Sequence, residues 1–455
     1  MVHCYELNGY YIALDVNSGG VHILDKVSFD LLKTLSAPMA EECPAESISA
    51  LSSLYSEEAL REAYAELYDL YRQDMLFSAD TYEKFSGMMT NSPIKAMCLH
   101  IAHDCNLRCD YCFASTGDFG GGRKLMPLEV GKAAIDFLLT HSGSRRNLEL
   151  DFFGGEPLMN MGVVKEIVAY AREREKEFGK NFRFTLTTNG LLLNDDYIDF
   201  INKEMSNIVL SIDGRKEVND QLRRRVDGRG CYDTIVPKYQ KLVDRRGHDN
   251  YYVRGTFTAK NLDFSEDVLH LNALGFDQIS VEPVVSDPNL DYSIKEKDLP
   301  AVFAEYDRLA AKIAEMKKAG SGINFFHFMI DLEQGPCAIK RLRGCGCGNE
   351  YVAVTPEGDI YPCHQFVGQP EWKMGSVLDD TLNLEMKNTF AAANIYTKEG
   401  CRDCFAKFYC SGGCNANNAT YEGNILKPHK IGCELERKRV ECAIMIQAAL
   451  AESEE

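Results

Sequence analysis

Three cysteines on one short loop constrain this chain more than any other feature. The stretch from His103 to Phe113 places thiols at Cys105, Cys109 and Cys112, with three and two residues between them. Thiolates are soft ligands and select iron–sulfur clusters or zinc. A zinc site closed by protein wants a fourth nearby ligand. Three thiolates on one loop instead leave one iron of a four-iron cluster open. A mostly apolar run, Ile94 to Ile101, precedes the loop and predicts a buried strand. The thiols therefore sit just past a strand end, where α/β sheets and barrels hold their chemistry.

The chain around this loop alternates strand-like and helix-like stretches. Predicted strands are Ala96 to His103, Leu148 to Phe153, Phe182 to Thr188, Asn207 to Ile212, Tyr252 to Thr258 and Ile279 to Val284, with helical stretches such as Pro127 to Thr140 and Val163 to Glu177 between them. Regular alternation of this kind implies a parallel sheet. Residues 1 to about 90 form a separate unit of strands (Tyr10 to Val16, Val21 to Leu24) and helices (Phe29 to Leu35, Ser56 to Asp74), winged-helix-like in size and pattern. After Ala301 to Met316, an amphipathic helix, Asn324 to Ile330 reads as a bridge to the last domain.

Three strand ends carry polar groups suited to a ligand. Phe153-Gly-Gly-Glu-Pro157 follows the second strand, and its glycines allow close backbone approach while Glu156 offers a charged acceptor. Thr187-Thr-Asn-Gly190 closes the third strand. Ser211 and Asp213 end the fourth and alternate onto one side. Arg223 lies twelve residues beyond Ser211, and an arginine pairs bidentately with a carboxylate. Arg224 and Arg225 follow it directly, so the register there has alternatives.

The C-terminal part is a second cysteine array. Cys401, Cys404, Cys410, Cys414 and Cys433 are closely spaced, and Pro356-Glu-Gly-Asp359 predicts a hairpin that brings Cys345 and Cys363 together. Seven such ligands are more than one zinc ribbon needs. Cys4, Cys43, Cys98, Cys231 and Cys442 lack this spacing and read as buried free thiols.

Composition sets bounds on function. With 17 cysteines and no signal-peptide layout, the chain is expected to be cytoplasmic, with cysteines that ligate metal rather than pair as disulfides. A formal charge of −18 argues against a nucleic-acid partner, and the apolar runs are too short to span a membrane.

The motif Cys105-x3-Cys109-Asp-Tyr111-Cys112 resembles the cluster loop of radical S-adenosylmethionine (SAM) enzymes. That resemblance implies a partial (β/α)6 barrel over residues 91–310. The open iron would hold SAM, which an electron cleaves to methionine and a hydrogen-abstracting deoxyadenosyl radical. It also implies that Gly154, Gly155 and Glu156 hold the SAM ammonium, that Ser211 and Asp213 hold the ribose, and that Arg223 meets the carboxylate, while Tyr111 reads either as packing near the adenine or as a core aromatic that braces the loop. Thr187 and Asn189 join that pocket. The C-terminal array, residues 337–455 beyond a bridge at 311–336, resembles the SPASM domain with two auxiliary four-iron clusters. Carried over, the distal one takes Cys401, Cys404, Cys410 and Cys433, and the proximal one takes Cys345, Cys363 and Cys414. Its fourth site is left to Cys347, to Cys337, or to a substrate thiolate. The N-terminal unit resembles the precursor-peptide recognition element of peptide-modifying members.

The layout is most similar to maturases of small cysteine-rich (SCIFF) peptides, which form sactipeptide-type thioethers from cysteine sulfur to an α-carbon. The implied partners are a cysteine-rich precursor peptide held by its leader and a flavodoxin- or ferredoxin-type electron donor. His364, beside Cys363, reads either as a general base or as a surface group of the hairpin. Competing readings are formylglycine formation, peptide epimerisation, and a catalytically silent iron–sulfur scaffold.

Overall fold

The computed structural model describes residues 1–87, 92–332 and 341–451. Cys337 lies outside the described residues. At the N-terminus β1 (Val2–Leu7), β2 (Tyr10–Asp15) and β3 (Val21–Leu24) form an antiparallel sheet in that order. Helices α1 (Lys26–Leu32), α2 (Ala45–Leu51) and α3 (Glu57–Arg72) follow it. Asp25 and Ser56 cap α1 and α3 by accepting from Ser28 and Ala59 N–H groups. Leu60, Ala63, Tyr64 and Leu67 of α3 face the core of this unit with Leu31 and Leu32.

The central sheet is built from β4 (Ala96–His103), β7 (Asn147–Gly154), β8 (Asn181–Thr188), β9 (Asn207–Ser211), β11 (Tyr251–Phe257) and β12 (Gln278–Pro283), all parallel. Short strands β5 (Leu107–Cys109) and β10 (Arg223–Arg225) pair with each other outside it, and β6 (Lys124–Leu125) pairs with β4. Helices α4 (Leu128–His141), α5 (Met161–Phe178), α6 (Asp195–Glu204), α7 (Lys216–Leu222), α8 (Tyr232–Arg245), α9 (Phe264–Ala273) and α10 (Leu299–Lys318) connect the strands. Strands β7, β8, β9 and β11 alternate a fully buried, apolar outer face with a less buried inner one, as in Leu148, Leu150 and Phe152 of β7, whereas β4 is buried throughout. The apolar face packs under the helices, and the more polar face lines the inside of the partial barrel. This is the α/β architecture that the alternation predicts.

Two expected boundaries fall differently. The segment after α10 forms β13 (Asn324–Phe325), which pairs parallel with β12 and extends the sheet rather than bridging away from it. At the opposite edge, β14 (Tyr351–Val354) pairs parallel with β4, from Tyr351 opposite Ala96 to Val354 opposite Leu99. β14 turns into β15 (Asp359–Tyr361) through the expected hairpin, and β16 (Gly375–Ser376) and β17 (Thr381–Leu382) follow. The cysteine-rich C-terminal part therefore begins as an added edge of the barrel sheet.

The N-terminal unit is tied to the C-terminal helix Lys430–Ala451, to α10 and to the cysteine-rich segment before that helix. Tyr5 Oη donates to the Glu441 carbonyl at 3.0 Å, and Asn8 donates to the Asp307 carbonyl at 3.1 Å. Asp80 accepts from the buried Lys407 ammonium at 2.8 Å and from Tyr396 Oη at 2.9 Å. Among the described residues, no helix is long and apolar enough to cross a membrane.

Candidate active site and cluster sites

The C-terminal ends of the barrel strands surround a cavity of 290 Å³. Cys105, Cys109 and Cys112 line one side of it, with Tyr111, Gly154, Gly155, Thr187, Asn189, Ser211, Asp213 and Arg223. Residues that lie more than a hundred positions apart thus meet at one strand-end opening, as the parallel topology requires.

The cysteine loop is locked to β7 by close backbone approach. A Cβ on Gly155 would lie 2.1 Å from the Asp104 carbonyl oxygen, and one on Gly154 would lie 2.3 Å from that of Ala102. Gly155 N–H donates to the Ala102 carbonyl at 2.7 Å, and Glu156 N–H donates to that of Asp104 at 2.9 Å. Only glycine fits at these two positions.

Glu156 has a different orientation from the one the resemblance implies. Its carboxylate is fully buried and accepts from Thr188 Oγ1 at 2.7 Å, Asn189 N–H at 2.8 Å and Leu158 N–H at 3.0 Å. Among the described residues, Gly154 and Gly155 line the cavity and Glu156 does not. Burial pushes its carboxyl up to about 7. Geometrically it ties the turn after β7 to the end of β8. The Asn189 amide it helps place reaches to 3.6 Å from Cys105 Sγ.

On the opposite wall, Tyr111 Oη donates to Asp213 Oδ1 and Oδ2 at 2.9 and 2.7 Å. Arg223 Nη1 donates to that phenol at 3.0 Å, and Nη2 donates to the Ser211 carbonyl at 3.4 Å. Burial raises the Asp213 carboxyl, against the lowering effect of Arg223. The register at the triple arginine resolves through alternation on β10. Arg223 is buried and faces the cavity, Arg224 is exposed against Asp110 at 2.7 Å, and Arg225 reaches Thr234 at 3.4 Å. The Nε of Arg223 is buried with no protein partner. An unsatisfied buried guanidinium N–H is costly, and Arg223 is among the residues that line the cavity. Tyr111 therefore serves Asp213 and Arg223 through its hydroxyl.

Several contributors were not singled out from the sequence. Cys231, read as an inert thiol, is buried, accepts from Asn219 at 3.3 Å and donates to the Arg223 carbonyl at 3.5 Å, fixing the backbone of that arginine. Arg254, Thr256 and Glu282 line the cavity from β11 and β12, with Arg254 donating to Glu282 at 2.7 Å. Alternation along those strands carried that signal. His364, Gln365 and Asn417 enter from the C-terminal part. The His364 ring packs 5.4 Å from Phe113 and 5.1 Å from Phe153, and burial pulls it down to about 4, leaving a neutral imidazole at neutral pH. It is a wall of the cavity, not a surface group of the hairpin.

Eight further cysteines gather as two sets. Cys401, Cys404, Cys410 and Cys433 line one hollow of 550 Å³. Burial raises the Cys401 thiol to about 11 and the Cys410 thiol to about 12. In the second set the Cys347 thiol hydrogen-bonds Cys363, which that bond holds below its ordinary value, and both Cys345 and Cys414 are near enough to act on Cys347 electrostatically. Among the described residues, no three His, Cys, Asp or Glu groups converge on a single-ion point. The Cys401, Cys404, Cys410 and Cys433 thiols instead line a hollow, which suits a multi-atom cluster. The three loop thiols beside an open cavity that Arg223 also lines likewise suit a cluster with one iron exposed to an amino acid ligand such as SAM.

Known proteins agree with this layout. The Radical SAM superfamily profile matches residues 99–277, and that of the SPASM iron–sulfur cluster-binding domain matches residues 345–405. An uncharacterized protein of Methanocaldococcus jannaschii is 30% identical over 280 residues, covering 60% of this chain and 86% of that protein. A solved structure of anSMEcpe with bound AdoMet and a Kp18Cys peptide aligns with a TM-score of 0.65 at 18% identity, over 80% of this chain and 99% of that one. The structure of Streptococcus suis SuiB bound to S-adenosylmethionine aligns with a TM-score of 0.55 at 17% identity, over 95% of this chain and 98% of that one. The chain belongs to the radical SAM superfamily, as an enzyme with a SAM site at the mouth of its barrel and an iron–sulfur cluster-binding SPASM region beyond it.

Proposed function

We propose that this enzyme forms thioether crosslinks in a ribosomally made, cysteine-rich peptide, joining a cysteine sulfur to an acceptor α-carbon. One observation carries the reading: residues next in sequence to the second cysteine set line the reaction cavity. His364 and Gln365, directly after Cys363, and Asn417, one helical turn after Cys414, line the same 290 Å³ as Cys105, Cys109 and Cys112. A peptide residue and a peptide thiol held there would each face a different cluster site.

Cys105, Cys109 and Cys112 would hold the cluster that binds SAM. Gly154, Gly155, Thr187, Asn189, Ser211, Asp213 and Arg223 would surround SAM itself, with Glu156 holding the Asn189 turn in place. Cys345, Cys363 and Cys414 would hold the proximal auxiliary cluster, with Cys347 beside them. Cys401, Cys404, Cys410 and Cys433 would hold the distal one. When bound, these groups supply a hydrogen-abstracting radical at one wall and an electron sink at the other. The peptide gives up a hydrogen atom from carbon, a proton from sulfur and one electron, and gains the sulfur–carbon bond. His364 offers that proton a neutral nitrogen. Phe113 and Phe153 beside it restrict water.

The N-terminal unit, residues 1–90, is read as the leader-binding element. β3 pairs only with β2 among the described residues, so one edge is open to an added strand. Ile23 on that strand is 48% exposed. The likeness to SuiB extends over 95% of this chain and so takes in this unit.

The test is anaerobic incubation of the cluster-loaded enzyme with SAM, reductant and a cysteine-rich precursor peptide encoded beside its gene, read by mass spectrometry. The expected product has lost the mass of a pair of hydrogen atoms per event and has a cysteine closed to alkylation. Deoxyadenosine release with an unchanged peptide mass would favour epimerisation instead.

A further inference from the structure

A buried ammonium stands between the two cysteine sets of the C-terminal part. Lys398 is 3% exposed, and lysine is almost never buried to this degree unless it is paired. Its backbone is tied to the first set, because the Lys398 carbonyl accepts from Cys401 N–H at 3.3 Å. Its side chain runs to the turn that joins the sets. Nζ donates to the Gly412 carbonyl at 2.8 Å and to Asn415 Oδ1 at 2.7 Å. The segment Cys410-Ser-Gly-Gly-Cys414, followed directly by Asn415, leads from a thiol of one set to a thiol of the other.

That turn is shaped around the lysine. Ser411, Gly412 and Gly413 have φ values of 62°, 82° and 71°, three left-handed residues in succession. A Cβ on Gly412 would lie 2.6 Å from Lys398 Cδ and 3.2 Å from Nζ, so glycine leaves the room that the stem occupies. The Gly412 carbonyl also accepts from the buried Asn418 at 3.4 Å.

Among the described residues, no carboxylate pairs with this ammonium, and both of its acceptors are neutral amide oxygens. Burial depresses it. The charges that favour it are those of Cys401 and Cys410 in one set and of Cys345 and Cys414 in the other. A lone buried charge is costly, and that cost falls once these thiols are thiolates on a metal. Neighbouring cations have other roles. Arg437 acts on Cys401, Cys404 and Cys433 of the first set, and Lys407 pairs with Asp80 at 2.8 Å.

We propose that Lys398 is a counter-ion shared by the two cysteine-rich cluster sites, and that its charge raises the reduction potential at both. The inference rests on the proposed assignment of the two sets to two auxiliary clusters. A thiolate-held cluster is negatively charged and gains one more negative charge with each electron it accepts, so a fixed positive charge beside it favours the reduced state. Charges inside a protein are screened weakly, which lets one ammonium act on both sets. In the proposed reaction the electron that leaves the peptide is taken up at the set beside the cavity. Lys398 makes that set and its neighbour better acceptors, and no bond forms or breaks at the lysine.

The test uses the full chain with its clusters reconstituted and three variants. Lys398→Gln and Lys398→Met remove the charge, the first with an N–H donor kept and the second without. Lys398→Arg keeps the charge. Midpoint potentials are read by redox titration followed by electron paramagnetic resonance, and iron occupancy by Mössbauer spectroscopy. For both neutral variants the expected result is a fall of both auxiliary potentials by about tenfold in the one-electron equilibrium, about 59 mV. The potential at Cys105, Cys109 and Cys112 should stay unchanged, and Lys398→Arg should stay near wild type at all three sites. Auxiliary potentials that did not move in a neutral variant with its iron in place would overturn the proposal. So would a fall at one set alone, an equal fall at the Cys105 loop, or a fall in Lys398→Arg as large as in Lys398→Gln. If the neutral variants lost auxiliary iron, Lys398→Arg would decide: retained iron supports a need for the charge, and lost iron marks the lysine as packing and contradicts the proposal. A wild type with iron at the Cys105 loop alone would count against the assignment of the sets, a result distinct from two auxiliary signals whose potentials do not respond.

Discussion

Tyr111 Oη donates to both carboxylate oxygens of Asp213, at 2.9 and 2.7 Å, and so joins the tip of the cysteine loop to the end of β9. The same phenol accepts from Arg223 at 3.0 Å. One hydroxyl therefore sets the relation between the cluster loop, the acidic wall and the cationic wall of the cavity.

Tyr111→Phe removes that hydroxyl and leaves the buried Asp213 and Arg223 each short of a partner. A lost hydrogen bond to a buried charged group costs about 1.5–3 kcal/mol. The expected outcome is a lower melting temperature and SAM binding weakened by about tenfold or more, read by calorimetry. The three loop cysteines stay in place, so cluster iron should remain.

Gly155→Ala places a methyl group where the Asp104 carbonyl oxygen sits 2.1 Å away. The loop must shift, because backbone on both sides fixes the contact. The expected result is loss of the iron held by the Cys105, Cys109 and Cys112 loop, while iron at the proposed Cys401, Cys404, Cys410 and Cys433 site is retained. Iron analysis paired with Mössbauer spectroscopy of the variant reads this directly.

Burial raises the Cys105 and Cys109 thiols to about 11 and about 12. Iron binds thiolate, so loading must displace these protons. Cluster reconstitution should therefore quicken as pH rises from about 7 to about 9, following the thiolate fraction, which grows by up to about tenfold per unit. Visible absorbance during anaerobic reconstitution measures the rate.

Asp151 inside the barrel has its carboxyl pushed up to about 7 by burial, with Glu149 adding to the shift. An acid whose folded-state value lies above its unfolded one stabilises the fold only while protonated. Its contribution is present below about pH 4 and is lost as pH rises toward about 7. Asp151→Asn should therefore be more stable than wild type at about pH 8, by up to a few kcal/mol. The two should converge at acid pH in denaturant titrations.

Much of the barrel was legible because its strands alternate. Leu148, Leu150 and Phe152 point outward to the helices, and Glu149, Asp151 and Phe153 point inward. The six predicted strands stand within a residue of where they form. β1, β13 and β14 were missed or taken as separate because a short run says little about its neighbours. Their strand character depends on pairing with β2, β12 and β4. Spacing sufficed to group Cys401, Cys404, Cys410 and Cys433, but not to find Cys231, whose part depends on the Arg223 carbonyl folding back onto it. Nor did the motif reveal that the Glu156 carboxylate turns toward Thr188 and Asn189. Three competing donors decide that, and two of them are backbone N–H groups.

The edge of β3 makes a separate prediction about the leader. Ile23→Glu puts a charge on the exposed strand without touching the barrel. Binding of a labelled leader peptide, followed by fluorescence polarisation, should weaken by about tenfold, a loss of roughly 1.4 kcal/mol. SAM cleavage in the absence of peptide should be unaffected.

The most direct measurement is isotope transfer from a precursor peptide that carries deuterium on the α-carbon of the acceptor residue. Under anaerobic turnover the account predicts one deuterium in the released deoxyadenosine and a thioether on the same carbon, both read by mass spectrometry. Unlabelled deoxyadenosine accompanying a peptide that keeps its deuterium and its free thiol would contradict it.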